Sequence, residues 1–152
     1  MTVLVTDAGF APDDWTAPIV ALAEVAANDA APSAIRLAPG DDPTALADRL
    51  AQITLIAVQF PSFADGRGFT HARKLRAMGY TGRLRAEGHV IADQYAMARR
   101  SGFDEVAISD DLAARQPAAQ WQARANWQAH DYQSRLRASA KTSARASASA
   151  SA

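Results

Sequence analysis

A chain of 152 residues, 49% hydrophobic and 21% charged, is long enough to bury one core and too short to make two domains the expectation. It contains no cysteine, which excludes disulfides, thiolate-held iron–sulfur clusters and thiol chemistry, so any redox role needs a borrowed cofactor or a partner. No stretch approaches the ~18 uninterrupted apolar residues of a membrane span, and MTVLVTDAGF offers neither a basic start nor an apolar signal core; a cytoplasmic protein without membrane contact is expected. The formal charge of zero hides an asymmetry. Residues 1–59 carry 8 acidic and 2 basic side chains, whereas residues 60–103 carry 3 acidic and 8 basic ones. A basic middle favours anionic ligands or partners, but without interleaved aromatics or a nucleic-acid motif it does not point to nucleic acid.

Taken in chain order, Thr2 to Thr6 reads as a strand, followed by a turn at Asp7-Ala8-Gly9. An apolar run from Ile19 to Val25 fits an added hairpin, a helix or a mixed element equally well. Ser33 to Leu37 is a short strand closed by Pro39-Gly40. Asp42 then stands as an N-cap with Pro43 at the first helical position, and Leu46, Leu50 and Ile53 share one face, which predicts a helix. Thr54 to Phe60 is apolar on both alternating faces, the pattern of a covered parallel strand.

After FPSFADGRGFT, Phe69, Ala72, Leu75 and Met78 recur at helical spacing until Gly79. Arg83 to Glu87 is the next strand. A helix from Val90 through Gln94, Met97 and Ala98 runs to Gly102, and Glu105 to Ser109 is a further strand. Both helices end in Gly followed by an aromatic residue, Gly79-Tyr80 and Gly102-Phe103, so the αβ unit repeats with the same stop. Residues 110 to 137 read as helix or extended wrap with Trp121 and Trp127 as packing anchors. Residues 138–152 hold nothing apolar larger than Ala and predict a disordered Ala/Ser tail.

Strands alternating with helices predict an α/β fold: a parallel βαβαβαβ sheet, either half of a (β/α)₈ barrel or an open doubly wound sheet, in one domain over residues 1–137 with its core at 33–109. The half-barrel version carries a corollary, dimerisation to complete the core. In both versions ligands bind where loops leave the strand C-termini.

That rule singles out a cluster. Asp65, Gly66, Arg67 and Gly68 follow the TLIAVQF strand; Arg85 and Glu87 close the next; Asp93 and Gln94 begin the following helix. Side-by-side loops would bring Arg67 and Arg85 to one small oxyanion, with Asp65 and Glu87 orienting them, glycine-exposed amides beside them, and His71 or His89 as proton carrier. The opposing reading is structural, with Asp65 pairing Arg67 and the remaining charges tying neighbouring loops together. His71, His89 and His130 lack any metal-ligand spacing, so no metal site is expected. No serine lies in a G-x-S-x-G setting, and DGRGFTHAR lacks the third glycine of a dinucleotide fingerprint.

From about Leu37 to Ile108 the chain resembles the DUF934 family. The matching stretches are FPSFADGRGFTHARKLR, GRLRAEGHVIADQ and ARRSGFDEV and, more loosely, Tyr132-Gln133. The family is bacterial, is often labelled as oxidoreductases of sulfite reduction, and is typically encoded beside the sulfite or nitrite reductase haemoprotein and the enzymes of sulfate assimilation. The resemblance thus implies a role in assimilatory sulfite reduction, as enzyme or accessory, with that reductase as a partner. A second reading, from the residues themselves, is a non-catalytic adaptor docking on that reductase, the basic helix surface of Arg73, Lys74, Arg76, Arg99 and Arg100 meeting an acidic face. Many members carry Cys where this chain has Ser101, a departure that argues against thiol chemistry at that position as a property of the whole family. The family supplies no catalytic residue to transfer.

Overall fold

The computed structural model describes residues 2–28 and 32–127; the predicted tail, His130 and the Tyr132-Gln133 match lie outside them. Seven strands form one mixed sheet: β1 (Thr2–Thr6), β2 (Gly9–Pro12), β3 (Val20–Ala21), β4 (Ala34–Leu37), β5 (Leu55–Phe60), β6 (Arg83–Gly88) and β7 (Glu105–Ser109), in the order β2-β1-β7-β6-β5-β4-β3. Strands β3 to β7 are parallel, and β1 adds antiparallel to β7 with β2 folded back on it as a hairpin. The parallel strands lie in sequence order without reversal, so that part of the sheet has no doubly wound switch point. Both edges are short strands, which limits the backbone they offer for further pairing.

The ambiguous run from Ile19 is a mixed element, β3 passing directly into helix α1 (Leu22–Asn28). Asp42 caps as expected, its side chain accepting from the Thr44 N–H at 3.0 Å. The predicted helix over 43–53 does not form. Two 3₁₀ turns, Pro43–Leu46 and Leu50–Gln52, replace it, and their bonds run to the third residue back, as from Ala47 N–H to Thr44 O and from Ile53 N–H to Leu50 O. The tighter winding suits a short connection that has only to bury Leu46 and Ile53. Helix α2 (Arg67–Ala77) matches its prediction. The helix expected from Val90 begins later, as a 3₁₀ turn over Ala92–Gln94 that leads into α3 (Tyr95–Ser101). Beyond β7, α4 (Asp110–Arg115) and α5 (Ala118–Gln122) follow, and Trp121 is fully buried, edge-on to Tyr95 at 6.0 Å.

The repeated helix stop is real and has one shared clamp. Gly79 and Gly102 sit at φ of 98° and 118°. In each case the aromatic N–H reaches back five residues, Tyr80 to Leu75 O at 3.0 Å and Phe103 to Ala98 O at 3.1 Å, while the glycine N–H bonds three back. This is the Schellman arrangement, and it buries Tyr80 and Phe103. The Arg76 guanidinium donates to Gly102 O at 2.8 and 3.0 Å, to Tyr80 O and Gly82 O at 3.0 Å, and to Asp104. One cation thereby satisfies the carbonyls around both stops. Arg76→Ala strands those acceptors and is expected to lower unfolding free energy in urea by about 2–3 kcal/mol, with Arg76→Lys recovering only part because an ammonium cannot fork between them.

Candidate functional site

Pleating along β6 sends its side chains to two different environments. Leu84 and Ala86 join the apolar cluster with Phe69, Ala72 and Leu75 of α2 and with Ala98 and Phe103. Arg83, Arg85 and Glu87 point to the opposite face. The chain crosses that face between β2 and β3, because those strands are the two edges of the sheet. The crossing segment, residues 13–19, is held by charge. Arg85 donates to both oxygens of Asp13 at 3.2 and 3.0 Å and to Glu105 at 2.9 Å; Arg83 binds Asp14 at 2.6 Å and grips both oxygens of Glu105. Trp15 lies over Arg83, 6.0 Å from guanidinium to ring centre.

Arg67 and Arg85 therefore do not meet. Arg85 has 1% of its side chain exposed and is sealed between Glu105 and Asp13, on the face away from α2, whereas Arg67 opens α2 with 64% exposed and forks onto Asp65 at 2.8 to 3.3 Å. Glu87 does not orient Arg85. It pairs with Arg36 of β4 at 2.8 Å, across β5, where Ala57 on the same face leaves the space. Gly68 gives a close approach, but to the chain itself: a Cβ there would lie 2.4 Å from the Phe60 ring. Gly66 is the residue before α2. His71 is buried, its Nε2 at 3.2 Å from Ala38 O and 3.0 Å from Pro39 O, which ties α2 to the exit of β4. Asp93 pairs with Arg124 at 2.9 Å. Gln94 accepts from Ile91 N–H and donates to Phe63 O at 2.7 Å. Most of the expected site residues thus hold neighbouring loops in register.

His89 is different. It is exposed at the carboxyl rim of the sheet and lines two adjoining hollows. The first, of about 320 Å³, is bounded by Gln59, Phe60, Pro61, Glu87 and Gly88; the second, of about 450 Å³, by Phe63, Ile91, Leu112, Arg115 and Gln116. Arg115 is exposed and has no ion-pair partner among the described residues, and Phe63 is 59% exposed. The rim therefore combines an imidazole, a free guanidinium and an apolar wall. Sequence reasoning placed His89 here but missed Arg115 and Arg36, which sit on separate elements with no local motif to mark them.

The family model described as "Bacterial protein of unknown function (DUF934)" matches residues 34–142. The chain belongs to the DUF934 family. No curated protein matches it, and no solved structure does. The DUF934 match begins at β4 and takes in β5, β6 and β7, and so includes both rim hollows; β1, β2 and the crossing segment precede it. Among the described residues no cluster of three or more His, Asp or Glu could hold a metal ion, and no helix is long and apolar enough to cross a membrane.

The Asp65–Arg67 pair has a readable signature. The Arg67 guanidinium first, and its backbone N–H second, hold the Asp65 carboxyl down at about 2 rather than 3.8. A lowered carboxylate contributes stability that is fully present above 3.8 and is lost as pH falls through about 2. An NMR titration of the side-chain carboxyls is expected to place the Asp65 midpoint near 2, and Arg67→Ala to return it toward 3.8. A midpoint that does not move in the variant rules out the pairing.

Proposed function

We propose that this DUF934 protein serves assimilatory sulfite reduction by holding a small oxyanion at the carboxyl rim of its sheet, while a partner reductase supplies the redox centre. The observation that carries the reading is His89 standing between two hollows, with the unpaired Arg115 in one wall. A guanidinium supplies a forked donor for an oxyanion, and an imidazole can give or take the proton that accompanies its reduction. A chain without cysteine holds no thiolate-bound iron–sulfur cluster of its own, which supports placing the redox centre on the partner. Sulfite as the anion rests on what the family resemblance implies.

Calorimetric titration with sulfite tests it. Binding at one site is expected, weakened about ten-fold or more by His89→Ala and by Arg115→Ala, with a smaller loss in Arg67→Ala. Undiminished binding in both of the first two variants removes the rim assignment. Deleting the gene is expected to abolish growth on sulfite but not on cysteine, and normal growth on sulfite removes the pathway.

A second reading, the adaptor, is favoured by the outer helix surface. Arg76 and Arg99 are consumed internally, Arg99 by Asp7, Phe103 O and the Trp127 ring. Arg73, Lys74 and Arg100 are exposed without ion-pair partners among the described residues, beside an exposed Met97. Such a face suits an acidic protein surface and predicts salt-sensitive association. Co-purification of the reductase is expected to fall as salt rises and to disappear in Lys74→Glu/Arg100→Glu. Equal recovery from the variant argues against docking by this face.

A further inference from the structure

We propose that Arg83 and Arg85 form a second anion site, for a small dianionic oxyanion, and that Asp13 and Asp14 are its built-in occupant, displaced when the dianion binds. The site lies on the face covered by the crossing segment, where Glu87, two residues beyond Arg85, borders the nearer rim hollow, and it goes beyond the reading given above.

Three observations carry it. The two guanidiniums leave the same face of β6 two residues apart and share one carboxylate, Glu105, on their inner side. Their outer donors take consecutive carboxylates: Arg85 forks onto Asp13 through Nη1 and Nη2, and Arg83 reaches Asp14 in the same way, at 2.6 and 3.4 Å. That is how an arginine pair receives a bound anion. The segment supplying the carboxylates is also poorly attached by other means. None of residues 13–19 is buried; only Trp15 and Ile19 are half-buried. Of the side chains of the sheet, Arg36 reaches its backbone, at Ile19 O and 3.5 Å. Its exit, β3, pairs over only two residues, so it has slack to give. A segment fastened chiefly by ion pairs, with little apolar burial, opens readily when another anion takes over its cations.

The charge count sets what happens next. With the segment down, two guanidiniums meet three carboxylates; with it lifted they keep only Glu105, one positive charge in excess. Two guanidiniums facing one carboxylate attract an anion, and a dianion supplies the same two negative charges that Asp13 and Asp14 bring. The indole N–H of Trp15 is buried without a partner, so the closed segment pays one unmet donor that opening returns to water.

The test is a titration of the full chain with sodium phosphate, at ionic strength matched by sodium chloride. Asp13→Asn/Asp14→Asn is expected to bind one phosphate about ten-fold or more tightly than the unsubstituted protein, because the occupant no longer competes. Adding Arg83→Gln is expected to remove that gain. Equal affinity with and without the two aspartates overturns the proposal, and so does a gain that survives Arg83→Gln. Amide exchange on the unsubstituted protein gives an independent readout if the variant folds poorly: saturating phosphate is expected to speed exchange over residues 13–19 relative to matched chloride, with β5 and β6 unchanged. No difference there also overturns it. His89→Ala and Arg115→Ala are expected to leave this phosphate binding unaltered, so failure at the rim and failure here are read separately.

Discussion

The pairing of Arg85 with Glu105 in the middle of the sheet is the constraint from which the rest of the molecule is arranged. A guanidinium that is 1% exposed and a carboxylate that is 7% exposed have no water to fall back on, so each needs the other and a further partner. Glu105 takes Arg83 as its second cation, and Arg85 takes Asp13 as its second anion. The second requirement brings the chain between β2 and β3 across this face instead of leaving it a free loop. The opposite face carries the apolar bulk, where Phe60 stacks against Phe69 and Phe103 at 4.9 and 5.8 Å and Gly68 allows α2 to come down onto the ring. One face is held by charge and the other by packing, and each consequently tolerates different changes.

Much of this was legible in the residue order. Alternation in Arg83-Leu84-Arg85-Ala86-Glu87 marks a strand, the Gly-aromatic pairs mark both helix stops, and the apolar TLIAVQF run marks a covered parallel strand. The same alternation already separates Arg85 from Arg67: Arg83, Arg85 and Glu87 share a face, and Leu84 and Ala86 claim the one on which α2 packs. Reading the loops as neighbours without following the pleat brought the two arginines together in expectation when the sheet stands between them. The real partners of Arg85 lie 20 and 72 residues away, and a side chain gives no local sign of a counter-ion at that range. The 3₁₀ turns after Asp42 were hidden for a different reason, since the cap and the apolar spacing are common to both kinds of helix and only the length of the connection decides between them.

The candidate site divides in the same way. His89 was found because it follows a strand C-terminus. Arg115 was not, since it lies on α4, after the last strand, and meets the rim only through the fold. Three expected site residues have structural partners: Gln94 ties the turn after β6 to the loop after β5, His71 secures α2 to β4, and Asp93 meets Arg124 beyond α5 in an exposed pair. A rim whose polar residues are largely committed to one another is rigid, and a rigid frame is what the few uncommitted groups need in order to hold a ligand in one orientation.

The antiparallel union of β1 with β7 has a consequence for how the protein is made. Thr2 sits opposite Ser109, so during synthesis β1 has no neighbour in the sheet but β2 until β7 emerges from the ribosome. At about 5–20 residues per second, that wait is on the order of ten seconds. Throughout it Val3 and Val5 are exposed on a nascent hairpin too small to stand alone, an interval in which a holding chaperone has something to grasp.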